Sequence, residues 1–315
     1  MFNEHTPVTE LVPIFRGPPK HFPDGWLHWT NVRDALIFLL EEKIKNCPPY
    51  PEGMYSGRGI VSSVNAKPGL SSGKNLAHGY FPGAWCMVKE LRRLGCNLPV
   101  AFTYMGDQEL DPFLIALVKK HLNAECIDLH ECNKTDPMRI LAGWESKVYG
   151  IIQAPFEQVL YLDADCLPIE NPEFLFDSPQ LKFHGAILWP DMPPYDRTEW
   201  LRNECWTNVG LEPRTDYVDA ESGQLIIDKR RWHEELIAVR QLNETSDHVY
   251  RYVFGDKSTF VLGSAKVQHM LGKNGHAMPS TMCTWDGANI RHYGFNQSLL
   301  FQQTYSLFLL KFLLL

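Results

Sequence analysis

Two aspartates separated by one residue, Asp163 and Asp165, stand directly after a short apolar run, Val159-Leu160-Tyr161-Leu162. The run is partly β-branched, the pattern of a strand buried in a covered, largely parallel sheet. In open α/β sheets, ligands bind beyond the carboxyl ends of the strands. An Asp-x-Asp at that place offers hard oxygen ligands to one divalent cation, Mn²⁺ or Mg²⁺ by preference. The cation can in turn neutralise a diphosphate. Taken alone, the triplet reads more simply as a solvated acidic turn. Its surroundings favour the chemical reading: a strand before it, the turn Asn171-Pro172 after it, and a second apolar run ending Trp189-Pro190-Asp191.

Those neighbours carry a resemblance. Leu160-Tyr161-Leu162-Asp163-Ala164-Asp165, Asn171-Pro172-x-x-Leu175-Phe176 and Gly185-Ala186-x-x-Trp189-Pro190-Asp191 resemble the fungal α-mannosyltransferases of the Mnn1/Mnn2 type. More distantly they are similar to the glycogenin-like retaining glycosyltransferases. Both are nucleotide-sugar enzymes of the GT-A class, so the resemblance implies a Rossmann-like α/β fold with a mostly parallel central sheet. It implies that Asp163 and Asp165 hold a metal against the donor diphosphate, with Asp165 the more direct ligand. The resemblance covers about residues 58–294. Two departures stand out: Cys166 replaces the usual Asn or Asp after the Asp-x-Asp, and an N-terminal anchor like that of the relatives is not expected from residues 1–55.

Further site residues follow from the resemblance, position by position. A histidine near the end of the domain completes the metal site in glycogenin-like enzymes. Ile290-Arg291-His292-Tyr293-Gly294 matches that ending, which makes His292 the candidate ligand and His269 the alternative. Lys147, 16 residues before Asp163, corresponds to a lysine that faces the donor. A solvated surface lysine is the competing reading. Asp219-Ala220-Glu221-Ser222-Gly223-Gln224 resembles segments that approach the sugar, so Glu221 and Gln224 are expected at the hexose. Gly255-Asp256-Lys257 has a counterpart in both groups. It places Asp256 on sugar hydroxyls and Lys257 on the diphosphate, against an N-cap and a surface charge as the plainer roles. Ser62, near the end of the first strand, is expected on the nucleotide side, with the glycine- and lysine-containing loop 65–74 above it.

The elements that must position these residues alternate strand and helix. Strands are predicted over 58–64, 98–104, 124–129, 159–162 and 222–228. Helices are predicted over 77–94 with Gly95 as C-cap, 110–122 from Pro112 onward, 139–154, 230–240 and onward from Asp256. Such alternation builds a parallel sheet with right-handed crossovers. Residues 56–297 form the expected catalytic domain. Residues 1–55 are an extension holding an amphipathic helix over 31–45, either packed on the domain or part of a disordered arm. Residues 298–315 form an apolar tail, read as a tail anchor or an altered terminus.

The chain has 315 residues, 44% hydrophobic and 21% charged, enough to bury a sizeable core. A net charge of −7 argues against a nucleic-acid binder working through a basic surface. The eight cysteines include no Cys-x-x-Cys pair, so buried free thiols are expected rather than a structural zinc site. Neither apolar run approaches the about 20 residues of a spanning helix, so membrane association is not expected. The location expected is cytoplasmic by default, or the Golgi if that of the relatives applies. Asn133, Asn243 and Asn296 open glycosylation sequons that matter only in a secretory lumen.

The resulting expectation is a metal-dependent retaining transferase that moves a hexose to a glycan or other hydroxyl acceptor. By resemblance the donor is GDP-mannose, with a UDP-hexose as alternative. Two readings from other classes remain: an inactive carbohydrate-binding domain on the same fold, and a nucleotidyltransferase. The first would be marked by loss of the metal pair, which is intact. The second would carry a Gly-rich basic signature after the first strand, where Ser62-Ser63-Val64-Asn65 stands.

Overall fold

The computed structural model describes residues 29–66, 79–141, 143–190, 203–214, 219–253, 255–276 and 290–291. The chain between 67 and 78, which holds most of the predicted nucleotide loop, lies outside them. So do His292, Cys283, Asn296 and the tail 298–315.

The central sheet has six strands in the order β3-β2-β1-β4-β7-β6. These are β1 (Arg58–Ser63), β2 (Val100–Tyr104), β3 (Ala124–Asp128), β4 (Gln158–Leu162), β6 (Ala186–Pro190) and β7 (Ala220–Asp228). A short pair, β5 (Leu167–Pro168) with β8 (Ile290–Arg291), lies beside it. Strands β3, β2, β1 and β4 run parallel, as expected from the alternation. The predicted strand at 222–228 departs from a uniformly parallel sheet. It begins earlier, at Ala220, and inserts antiparallel between β4 and β6. That reversal is what brings the start of β7 beside the end of β4, where Leu162 pairs with Gln224.

Strand alternation divides the apolar side chains between two layers. Val159 and Tyr161 of β4 join Leu225 and Ile227 of β7 on one face. Leu160, Leu162 and Ile226 lie on the other. The first face is covered by α1 (Trp29–Lys45), α5 (Glu145–Gln153), α8 (His233–Glu244) and α10 (Lys257–Leu271). The second is covered by α2 (Phe81–Arg93), α3 (Pro112–Leu122) and a 3-10 turn (Pro172–Asp177). Trp232 stacks on Phe260 within the first layer, with ring centroids 6.5 Å apart. Each fully buried aliphatic or aromatic side chain of this kind contributes about 1.5–3 kcal/mol. α1 shares that layer: Leu40 and Ile44 are buried in it, and Glu41 pairs with Lys266 at 2.8 Å.

Local chemistry explains where several elements begin. Asp111 caps α3 by accepting from Leu114 N at 3.0 Å, with Pro112 in the first turn. α2 starts at Phe81, later than the predicted 77, with Pro82 in its first turn; its C-cap is Leu94, and Gly95, predicted as the cap, follows at φ +83°. Other boundaries differ from expectation as well. The helix predicted over 139–154 begins only at Glu145, because Glu244 takes the Arg139 backbone N–H at 2.6 Å and Asp247 grips its guanidinium at 2.8 Å. The helix predicted over 230–240 runs from His233 to Glu244. Asp228 accepts from the N–H groups of Arg230 and Arg231, and so holds both in a turn ahead of it. A short helix, α4 (Leu129–Thr135), follows β3 directly, capped by Asp128.

Seven cysteines among the described residues are free. Only Cys96, Cys166 and Cys205 are buried, fewer than expected. The sequon at Asn243 is inaccessible in the fold. Its side chain is fully buried and donates to Val239 O and Thr259 Oγ1. The remaining helices are α6 (Pro179–His184), α7 (Asn203–Thr207) and α9 (Ser246–Val249). Among the described residues, no helix is long and apolar enough to cross a membrane.

Candidate active site

The ammonium of Lys147 is the point where α5, β4, β7 and the start of α10 meet. It projects from the first turn of α5 and is buried. Its Nζ donates to the Ser222 carbonyl and hydroxyl, both at 2.8 Å, and to Asp163 Oδ2 at 3.2 Å. Asp256 Oδ2 lies 3.4 Å away, and the Tyr161 ring 5.1 Å below. The solvated-surface reading of Lys147 is therefore overturned. Burial alone would lower its pKa, but Asp163 and then Asp256 hold it well above the ordinary lysine value.

Asp163 follows β4, and its backbone N–H donates to Gly223 O at 2.7 Å, which sews the Asp-x-Asp turn to β7. Cys166 adds a second stitch, its thiol donating to the same carbonyl at 3.0 Å. A buried thiol there serves as a fastener inside the turn, where a carboxylate or amide would reach outward. Burial raises the Cys166 thiol well above its usual value, and Asp163, Asp165 and Glu221 add to this. Asp165 and Asp163 also make themselves felt at Tyr80, whose phenol is raised first by burial and then by these two carboxylates.

Asp256 occupies the N-cap position of α10 but makes no capping bond, at φ −72°. Its carboxylate turns instead to Lys147. Burial raises its pKa; Lys147 opposes that, and Asp163 reinforces it. Its Oδ2 has no hydrogen-bond partner, and neither has the buried Oε1 of Gln224. The Asp256 oxygen keeps the Lys147 ammonium at 3.4 Å, longer than a hydrogen bond, whereas the Gln224 oxygen meets no donor, which is costly in a fold.

Other expected residues sit differently. Glu221 folds back on its own strand, accepting from Gly223 N at 2.6 Å. Lys257 begins α10, but its Nζ is 3.6 Å from Asp219, which also accepts from Ser258 at 2.8 Å. Lys257 is thus tied to Asp219 rather than to Lys147's cluster. Ser62 is 0% exposed, and its hydroxyl has no partner. Ile60 and Val64, two residues either side on the same strand face, belong to the second apolar layer. Ser62 therefore points into packing, which corrects its expected place on the nucleotide side. Ser63 is the residue that reaches Tyr161, its N–H lying 3.4 Å from the phenol oxygen. His269 is exposed, 12 residues beyond Lys257 on α10 and so about 18 Å along the axis. That removes it as an alternative metal ligand. Sequence reasoning did not anticipate Ser222 as the anchor of Lys147, although Ser222 lay inside a segment already singled out.

Among the described residues, no group of three His, Cys, Asp or Glu stands ready to hold a metal. Asp163 and Asp165 are hard oxygen donors of the kind a divalent cation takes, and His292, the third expected ligand, lies outside the described residues.

The sequence model of a family described as "Mannosyltransferase putative" matches residues 57–202. The α-1,2-mannosyltransferase MNN21 of Candida albicans is 30% identical over 270 residues, covering 69% of this chain and 39% of the relative. The α-1,2-mannosyltransferase MNN2 of Saccharomyces cerevisiae is 26% identical over 253 residues, covering 67% and 40%. The chain thus spans well under half the length of these relatives. The galactosyltransferase LgtC superposes with a TM-score of 0.45 at 15% identity, over 70% of this chain and 72% of that one, too loosely to bear on function. By sequence, the chain is a relative of the fungal Mnn-type α-1,2-mannosyltransferases.

Proposed function

We propose that residues 56–297 are the catalytic domain of a metal-dependent, retaining α-mannosyltransferase. It takes GDP-mannose as donor and a glycan hydroxyl as acceptor, and forms the α-1,2 linkage named for its relatives. The observation that carries this is the Lys147 cluster. The Asp256 carboxylate paired with Lys147, and the buried Gln224 oxygen without a donor, stand beside an Asp-x-Asp turn at the carboxyl end of β4.

Asp163, Asp165 and His292 would hold a Mn²⁺ or Mg²⁺ ion, which when bound acts as Lewis acid and charge partner for the leaving diphosphate. His292 lies outside the described residues and is proposed from the resemblance alone. Lys147 fixes the Asp163 carboxylate while holding Ser222 and Asp256 around it. Asp256 Oδ2 and Gln224 Oε1 accept hydrogen bonds from pyranose hydroxyls. A site built for such bonds rejects a sugar that leaves them unmade. Retention is taken from the resemblance: attack from the side of the leaving group, with a phosphate oxygen taking the acceptor proton, requires no protein base.

The test is a panel of nucleotide sugars assayed with Mn²⁺ and after chelation. GDP-mannose should be turned over and transferred to a mannoside only with the metal present. Preference for a UDP-hexose would move the chain to the glycogenin-like alternative. Absence of turnover with every donor, in a protein that folds, would remove the reading.

A further inference from the structure

The carboxyl ends of α2 and α3 border a cleft of about 710 Å³, away from the Lys147 cluster. Arg92, Asn97, Lys119, Lys120, His121 and Glu125 line it, together with the first residues of β2 and β3, Val100 and Ala124. Strands β1 to β4 run parallel, so the cleft lies where they begin and the Asp-x-Asp turn where β4 finishes. No residue of the cleft is shared with the candidate active site.

The carboxyl end of a helix ordinarily repels anions, because its last carbonyls are unpaired and carry the negative end of the dipole. Here cations already cover such carbonyls. Arg92 Nη1 donates to Cys96 O at 2.9 Å and to Leu98 O at 2.8 Å, just beyond α2. Lys89 Nζ donates to His121 O at 3.2 Å in the last turn of α3, and lies 5.9 Å from the centre of the Trp85 ring. The His121 ring is seated against the same indole, with centroids 6.2 Å apart. This wall is therefore fixed and its carbonyls are screened.

Lys119 and Lys120 are left uncommitted. Both are exposed, and among the described residues neither makes a hydrogen bond or an ion pair. Basic residues in a last turn often serve only the helix dipole, but Lys89 and Arg92 already do that here. The lining sets Arg92, Lys119 and Lys120 against the single carboxylate of Glu125, on a chain whose net charge is −7. A concave surface of one sign focuses its field on a counter-ion. A carboxylate brings one negative charge, whereas a phosphate monoester brings about 1.5 to 2 and three acceptor oxygens, which suits two adjacent ammonium groups. The volume exceeds that of one phosphate, so the phosphate is the head of a larger ligand.

We propose that this cleft is a second binding site, for a phosphate-bearing ligand whose oxygens are taken by Lys119 and Lys120. It uses no metal and stands independently of the transferase reading.

The experiment uses the whole chain in EDTA, so that no divalent cation draws phosphate to the Asp-x-Asp turn. Tripolyphosphate is the probe, and calorimetry compares the parent with K119Q/K120Q. The parent should bind it, more tightly at low salt. The double variant should bind it about tenfold or more weakly at an unchanged thermal midpoint, since both residues are exposed. A parent that does not bind, or binding that K119Q/K120Q leaves intact, overturns the proposal. Citrate should bind the parent several-fold more weakly; equal binding would make the cleft a general anion surface and overturn the phosphate assignment. Vesicles of phosphatidylcholine with and without phosphatidic acid then distinguish the source. Sedimentation with phosphatidic acid that K119Q/K120Q abolishes assigns a lipid headgroup, and tripolyphosphate binding without sedimentation assigns a soluble phosphate.

Discussion

The two ends of α5 each engage a buried lysine, and they do so in opposite ways. At the amino end, Lys147 sits between Asp163 and Asp256 and is held firmly protonated. At the carboxyl end, Lys229 from the turn after β7 donates to the carbonyls of Ile152 and Ala154, at 3.1 and 2.6 Å, with the Tyr55 ring 3.9 Å from its Nζ. Burial pushes Lys229 down to about 6. The carbonyls at that end are ones a helix terminus leaves unpaired, so Lys229 completes the helix and the helix end needs nothing more. The amino end is different. Lys147 is engaged by Asp163, Ser222 and Asp256, while Gln224 Oε1, on the strand that carries Ser222, has no donor. One end closes a fold, and the other gathers the residues of the candidate site.

The contrast can be broken most forcefully at Lys147. Lys147→Met leaves Asp163 and Asp256 against each other without their ammonium. Removing one partner of a buried ion pair costs about 3–5 kcal/mol, so the urea midpoint should fall sharply and transfer should be lost. A variant no less stable than the parent would mean that the cluster is not electrostatically held.

Asp165→Asn should separate function from fold. The residue sits in the turn after a strand rather than in the core. Turnover in Mn²⁺ should drop on the order of a hundredfold or more, as when one element of charge stabilisation is removed, while the thermal midpoint stays near that of the parent. Full activity in Mn²⁺ would dissociate Asp165 from the metal.

Lys229 gives a pH signature that Lys147 lacks. An unfolded lysine titrates near 10.4, and the folded one near 6. Between those values the unfolded chain binds a proton that the native chain does not. Native stability therefore rises with pH across this window, by up to about 1.4 kcal/mol per unit, and levels off below 6. Denaturation of the parent and Lys229→Met at pH 6.5 and 8.5 checks this. The variant should show a flatter dependence, and parallel slopes would contradict the assignment.

The smallest effect is expected at Ser62. Its hydroxyl is buried without a partner, so Ser62→Ala should change stability by about 1 kcal/mol or less and leave donor KM alone. A raised donor KM would return Ser62 to the nucleotide side.

Much of this was legible along the chain. The apolar run before Asp163 is a strand buried on both faces, and its unbroken apolar residue types are the mark of that. Pro112 after Asp111, and Gly95 after an amphipathic run, marked helix ends because those residues restrict or free the backbone locally. The Asp-x-Asp turn was visible for the same reason: both carboxylates and their strand are contiguous. What contiguity cannot carry is the antiparallel insertion of β7, which depends on how three strands share one sheet. That insertion decided that Lys147 meets Ser222, 75 residues away, that Asp256 gives up its cap to face an ammonium, and that Glu221 folds onto its own strand. The separate pairing of β1 with β4 decided that the Ser63 backbone N–H meets the Tyr161 phenol. Hydrogen bonds and ion pairs between distant segments are set by the packing of the layers that carry them. Residue types named the candidates, and only the tertiary structure chose which of them face one another.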